Sequence, residues 1–261
     1  MDMTGMGQFA GTLADAARSI VLPCFRQPLP IEHKADHSPV TRADRAAEQR
    51  LRELIQQSYP EHGIVGEEYA DQGREKRYRW VLDPIDGTKS FISGMPTFGT
   101  LIALLDHHTP LLGLIDMPVL NERWLGLASG VTTLNGRRCQ TRTIEQLAQA
   151  ILFATSPDMF QGDEQRSFQR LATAVQLHRF GADCYAYGLL AAGYIDLVAE
   201  ADLKPYDFMA LIPIIEGAGG VITDWQGRPL SLESDGRVLA AATPALHQQA
   251  LKVLNAESAV E

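Results

Sequence analysis

The stretch from Trp80 to Gly94, WVLDPIDGTKSFISG, constrains this chain more than any other. Trp80-Val81-Leu82 reads as an apolar strand. Pro84 fixes the backbone after Asp83, so the strand is expected to end at Asp83-Pro84. A second carboxylate, Asp86, follows in the same turn, with the carbonyl of Ile85 between the two acids. Oxygen ligands gathered at the carboxyl end of a strand suit a hard divalent ion such as Mg2+. Gly87 lets backbone N–H groups come close to an anion, and Thr88 adds a hydroxyl. Taken alone, the stretch reads equally as a metal and phosphate site or as a strand followed by an acidic Pro/Gly turn.

Residues elsewhere decide between these. Asp44 and Gly66-Glu67-Glu68 precede the stretch; Tyr206-Asp207 follows it, with Gly219-Gly220 after eleven intervening residues. In this order and spacing the chain resembles the inositol monophosphatase family, within the wider superfamily of lithium-sensitive, Mg2+-dependent phosphatases. That pattern is Asp, Glu-Glu, DP(I/L)DG(S/T), Trp-Asp, eleven residues and Gly-Gly. Tyr206 stands where Trp is usual, so an aromatic ring is kept. The match spans most of the chain. Lys89 to Gly94 (KSFISG) and Pro96 to Thr100 (PTFGT) further resemble the histidinol-phosphatase branch, where T-(K/R)-S-F-I-S-G and P-x-(F/W)-G-T are typical.

The resemblance implies an α+β fold, a layered αβαβα sandwich, and a homodimer, since relatives are commonly dimers. It also implies two or three Mg2+ ions per active site, held by Glu67, Asp83, the Ile85 carbonyl, Asp86 and Asp207. Thr88, Asp44 and Glu67 would be catalytic, the first two around the attacking water. Gly87 and Thr88 would meet the phosphate, while Asp86, Asp183 and Glu200 would face the alcohol part of the substrate. Such a set suits a phosphomonoesterase, because a phosphate dianion repels nucleophiles until its charge is neutralised. The expected substrate is a small phosphorylated metabolite, histidinol phosphate first. An inositol-1-phosphatase or a broad sugar-phosphate phosphatase is the alternative. A scaffold acting as a protein-binding partner would be signalled by lost ligands, and all are kept.

Each acid also has a plain structural reading. Asp44 complements the start of a helix, Glu67 and Glu68 are solvated at a strand end, Asp183 caps a helix, and Glu200 is a solvated strand-end acid. His107-His108 lies in a turn without further ligands at metal spacing and reads as turn residues.

A net charge of −9 over 261 residues disfavours nucleic acid as a partner. The three scattered cysteines form neither a disulfide framework nor a zinc pattern. With no signal-like amino terminus and no apolar run of membrane length, the expectation is a cytoplasmic protein without membrane contact. No repeat or long linker divides the chain, so one domain over residues 1–261 is expected.

The coarse pattern begins with a helix over Gln8–Phe25, its apolar face Phe9, Leu13, Ala16, Ile20 and Cys24, followed by a polar loop from Ala35 to Pro39. Thr41 caps a helix over Arg42–Tyr59 with Ala46, Leu51, Leu54 and Ile55 on one face. Ile64-Val65 is a short strand. Three strands, Phe98–Leu105, Leu111–Met117 and Arg123–Ala128, form an antiparallel meander, which itself argues for α+β layers. Asn135-Gly136 is a tight turn. Strand Ala150–Thr155, a helix to Ala174, a helix from Gly181 through Ala192 and strand Tyr194–Ala199 follow. Then come an apolar helix Phe208–Gly217 interrupted at Pro213, strand Val221–Thr223 and a terminal helix Pro244–Leu254.

Overall fold

The computed structural model describes residues 2–28, 32–33, 39–128 and 130–256. Helix α1 (Met3–Val21) starts earlier than expected because Asp2 caps it, its carboxylate accepting from the Thr4 amide at 3.0 Å. It ends at Val21, and Pro23 sits in the 3-10 turn Leu22–Cys24 that follows. Its buried stripe is Met6, Ala10, Leu13, Ala14, Ala17 and Val21; of the expected face only Leu13 belongs to it, while Phe9, Ala16, Ile20 and Cys24 are half-buried along its edge. Small alanines on that stripe let the next helix approach closely. The polar loop lies largely outside the described residues; β1 (Glu32–His33) and β2 (Pro39–Val40) pair antiparallel across it. Helix α2 (Arg42–Ser58) has the expected Thr41 cap. Ala46 is exposed, however, and Ala43, Ala47, Leu51 and Ile55 form the buried face.

The first sheet runs β3 (Gly63–Gly66), β4 (Tyr78–Asp86), β5 (Gly99–Asp106), β6 (Thr109–Met117), β7 (Glu122–Leu127), β8 (Thr133–Leu134) and β9 (Arg137–Arg138) in spatial order. A short helix, α3 (Thr88–Ile92), follows β4. Only β3 and β4 are parallel; the rest is the expected meander, closed by the Asn135-Gly136 turn with φ of 50° and 76°. Strand β4 does not stop at Pro84. Asp83 pairs with Leu101 and Asp86 with Gly99, so Pro84 and Ile85 together oppose Thr100 in a bulge. Proline fits there because a bulged residue gives up no ladder hydrogen bond. Side chains three apart on a regular strand point to opposite faces; the extra residue turns Asp83 and Asp86 to the same side.

The second sheet uses β10 (Ile151–Ala154), β11 (Leu177–Phe180), β12 (Leu197–Glu200), β13 (Val221–Thr223) and β14 (Val238–Ala241), in the order β11-β10-β12-β14-β13. Helices α4 (Asp163–Ala174) and α8 (Pro244–Leu254) cover its outer face. Helix α5 (Tyr185–Ala191) starts later than expected, since Gly181 and Asp183 hold left-handed φ of 84° and 51°. Helices α6 (Pro205–Phe208) and α7 (Leu211–Gly217) divide at Met209-Ala210, not at Pro213. Pro213 lies in the first turn of α7, where its missing N–H leaves no gap.

Three apolar clusters fix the layers. One lies between α1, α2 and the first sheet; a central one joins the first sheet, α5, α7 and the second sheet; the third lies under α4 and α8. The order is therefore αβαβα. Among the described residues, no helix is long and apolar enough to cross a membrane.

Candidate metal-dependent active site

Two elements bring three carboxylates to one point. The β4 bulge supplies Asp83 and Asp86, and the first turn of α6 supplies Asp207. One oxygen from each lies within 4.8 Å of the others. Each acid is oriented by a backbone amide: Ile85 N–H to Asp83 at 3.0 Å, Cys184 N–H to Asp86 at 2.6 Å, and Lys204 N–H to Asp207 at 2.7 Å. Glu67, in the loop after β3, is hydrogen-bonded to Asp83, and its charge acts on Asp207 and Asp44.

Burial, reinforced by repulsion from neighbouring carboxylates, raises the proton affinity of Asp83, Asp86 and Asp207. It pushes the Asp83 and Asp86 carboxyls well above the ordinary carboxylate range and Asp207 up to about 7. Carboxylates crowded this way repel one another unless protons or a cation lie between them. An oxygen-only donor set facing inward fits a hard divalent cation and offers nothing to a soft one.

Asp44 sits beside this cluster with two distinct oxygens. Oδ2 accepts from the Thr41 amide (2.9 Å) and hydroxyl (2.6 Å), completing the helix cap. Oδ1 is buried and has no hydrogen-bond partner among the described residues. One oxygen alone thus satisfies the capping reading. Thr88 opens α3 after Gly87, whose φ of 83° permits the sharp exit from β4. The Thr88 hydroxyl donates to the Ile85 carbonyl at 3.2 Å, so among the described residues Thr88 and Asp44 are not bonded to each other.

Beside the cluster, Asp86, Asp183, Cys184, Tyr187, Glu200 and Asp207 are among the residues lining a cavity of about 110 Å³. Asp183 does not cap α5; its carboxylate accepts the Ser90 hydroxyl at 2.6 Å. Glu200 is a buried residue of β12, not a solvated one. It accepts from the Thr155 amide (2.7 Å) and the Tyr187 hydroxyl (2.8 Å). Burial raises the proton affinity of both acids. Sequence reasoning missed Ser90, Thr155 and Tyr187 as their supports, and Cys184 as that of Asp86. Only Ser90, inside the KSFISG run, carried a sequence signal. His107 is an exposed turn residue with φ of 53°, as expected.

Comparisons with known proteins agree with this geometry. The sequence profile of the inositol monophosphatase family matches residues 2–259. The bifunctional phosphatase IMPL2 of Arabidopsis thaliana is 48% identical, covering 96% of this chain and 76% of that protein. A histidinol-phosphatase of Chlorobaculum parvum is 35% identical over 91% of this chain and 93% of its own. Among solved structures, an inositol monophosphatase from Zymomonas mobilis superposes with a TM-score of 0.90 at 46% identity, covering 98% of this chain and 100% of that one. The chain belongs to the inositol monophosphatase family, a family of metal-dependent phosphatases.

Proposed function

We propose that this phosphatase hydrolyses L-histidinol phosphate to L-histidinol and phosphate with Mg2+ as its metal. The observation that carries the reading is Asp183. Freed from any capping role, it lines the cavity next to the metal-facing acids, where a substrate amine would lie. Glu200 adds a second acid on the same cavity, and a charge-assisted hydrogen bond is roughly twice as strong as a neutral one. The 35% identical relative named a histidinol-phosphatase supports the same substrate class, and the 48% identical one is named a bifunctional phosphatase.

Glu67, Asp83, the Ile85 carbonyl, Asp86 and Asp207 would hold two or three Mg2+ ions. When bound, Mg2+ neutralises the phosphate dianion and makes water more acidic. The chain's own residues do the rest. Asp44 Oδ1 accepts a proton of the attacking water, with the Thr88 hydroxyl fixing its position. Gly87 and Thr88 receive the phosphate, and Asp86, Asp183 and Glu200 receive the alcohol. The structural relative named an inositol monophosphatase supports a second reading, a polyol-phosphate phosphatase.

Asp183→Ala separates the two. On the first reading it lowers kcat/KM for histidinol phosphate about tenfold or more, roughly 1.4 kcal/mol, and that for inositol-1-phosphate much less. Equal losses on both substrates would return the assignment to the polyol reading.

A further inference from the structure

A buried ion pair underlies the loop that carries Glu67. Glu48 and Arg52 stand one turn apart on α2, 0% and 3% exposed, with Arg52 Nε donating to Glu48 Oε1 at 2.7 Å. Their other bonds go to one short segment. Glu48 Oε2 accepts from the Glu68 amide (2.7 Å), and the Arg52 guanidinium donates to the carbonyls of Tyr69 (3.0 Å) and Ala70 (3.2 Å). The guanidinium also lies 5.8 Å from the Tyr69 ring centre.

Gly66 completes the fit. A Cβ there would stand 2.1 Å from Glu48 Oε1 and 2.7 Å from Arg52 Nη2, so only glycine lets the strand lie on the pair. A buried ion pair contributes little net stability, and well-packed apolar side chains would fill the space at least as well. Its bonds instead fix the backbone just after Glu67, and the close approach of Gly66 fixes it just before. Glu67 itself is hydrogen-bonded to Asp83, and its charge acts on Asp207 and Asp44. Asp44 stands one turn before Glu48 on the same helix, so one stripe of α2 holds two corners of the site.

We propose that Glu48 and Arg52 are positioning residues that set Glu67 against the aspartates, and so act on divalent-cation affinity through Glu67. The inference rests on reading these acids as the metal site. Its test is therefore calorimetric titration with Mg2+ in the absence of any phosphate ester. Replacing both partners together, Glu48→Met with Arg52→Leu, removes the pair without stranding a buried charge. Mg2+ affinity is expected to fall about tenfold or more. In a Glu67→Ala background the same double replacement is expected to change affinity less than about twofold, because the residue it acts through is gone. If the double replacement does not fold by circular dichroism, Arg52→Lys, which keeps the buried charge paired with Glu48 but loses the guanidinium fork that reaches the Tyr69 and Ala70 carbonyls, is compared in the same two backgrounds. Unchanged affinity, or an equal loss with and without Glu67, would overturn the positioning role. A wild-type protein that takes up no Mg2+ would overturn the reading of the site itself, and this inference with it.

Discussion

Asp183 lies so close to Gly87 that a Cβ at position 87 would stand 2.8 Å from its carboxyl carbon. The contact joins the turn after β4 to the turn before α5, and thus the metal-facing acids to the acid proposed to read the substrate. Gly87→Ala would meet Asp183 and also force a left-handed φ on a side chain, which costs roughly 1–2 kcal/mol. The expected outcome is a melting temperature lower by a few degrees and kcat/KM for histidinol phosphate down about tenfold or more. Wild-type kinetics in a destabilised variant would show that the contact is structural only.

Asp44 caps α2 with Oδ2 alone, so its capping role can be separated from the catalytic role proposed for Oδ1. Asn at this position keeps an acceptor for Thr41 but loses the charge that Oδ1 offers. Asp44→Asn is expected to leave stability within about 1 kcal/mol while turnover falls about a hundredfold or more. Turnover within about threefold of wild type would reduce Asp44 to a helix-capping residue.

What the sequence made legible follows from where the chemistry is local. The α2 cap at Thr41, the meander and the Asn135-Gly136 turn are each specified by neighbouring residues, and the structure has all three. Strand β14, Val-Leu-Ala-Ala, is buried throughout, so it shows no alternation, and its alanines favour no strand. Strand β11 is an exposed edge whose Leu-His-Arg-Phe has no apolar face to reveal it. The bulge at Pro84 depends on pairing with β5, which no local reading of Asp83-Pro84 contains. At the site, the order of the acids in the chain pointed to Asp83, Asp86 and Asp207. Their supports could not be read this way, because Cys184 reaches Asp86 and Ser90 reaches Asp183 only through the tertiary fold.

Proton and cation compete for the same carboxylates. Burial pushes Asp207 from an ordinary 3.8 up to about 7, so the metal-free fold holds a proton that the unfolded chain has released. That stabilisation is fully present below about pH 3.8 and is lost as pH rises through about 7. On the proposed reading Mg2+ would replace the proton, so the rise in melting temperature on adding Mg2+ should grow between about pH 5 and 8. A rise that stays constant across this range would show that Mg2+ binds away from these acids.

The central claim concerns the leaving group, and phosphate release measures it most directly. With Mg2+ present, kcat/KM would be compared for histidinol phosphate, inositol-1-phosphate and adenosine 3′,5′-bisphosphate. The account predicts that histidinol phosphate leads the other two by about tenfold or more, the discrimination expected of one charge-assisted contact to the substrate amine. Inositol-1-phosphate turned over as fast as histidinol phosphate, or faster, would contradict it.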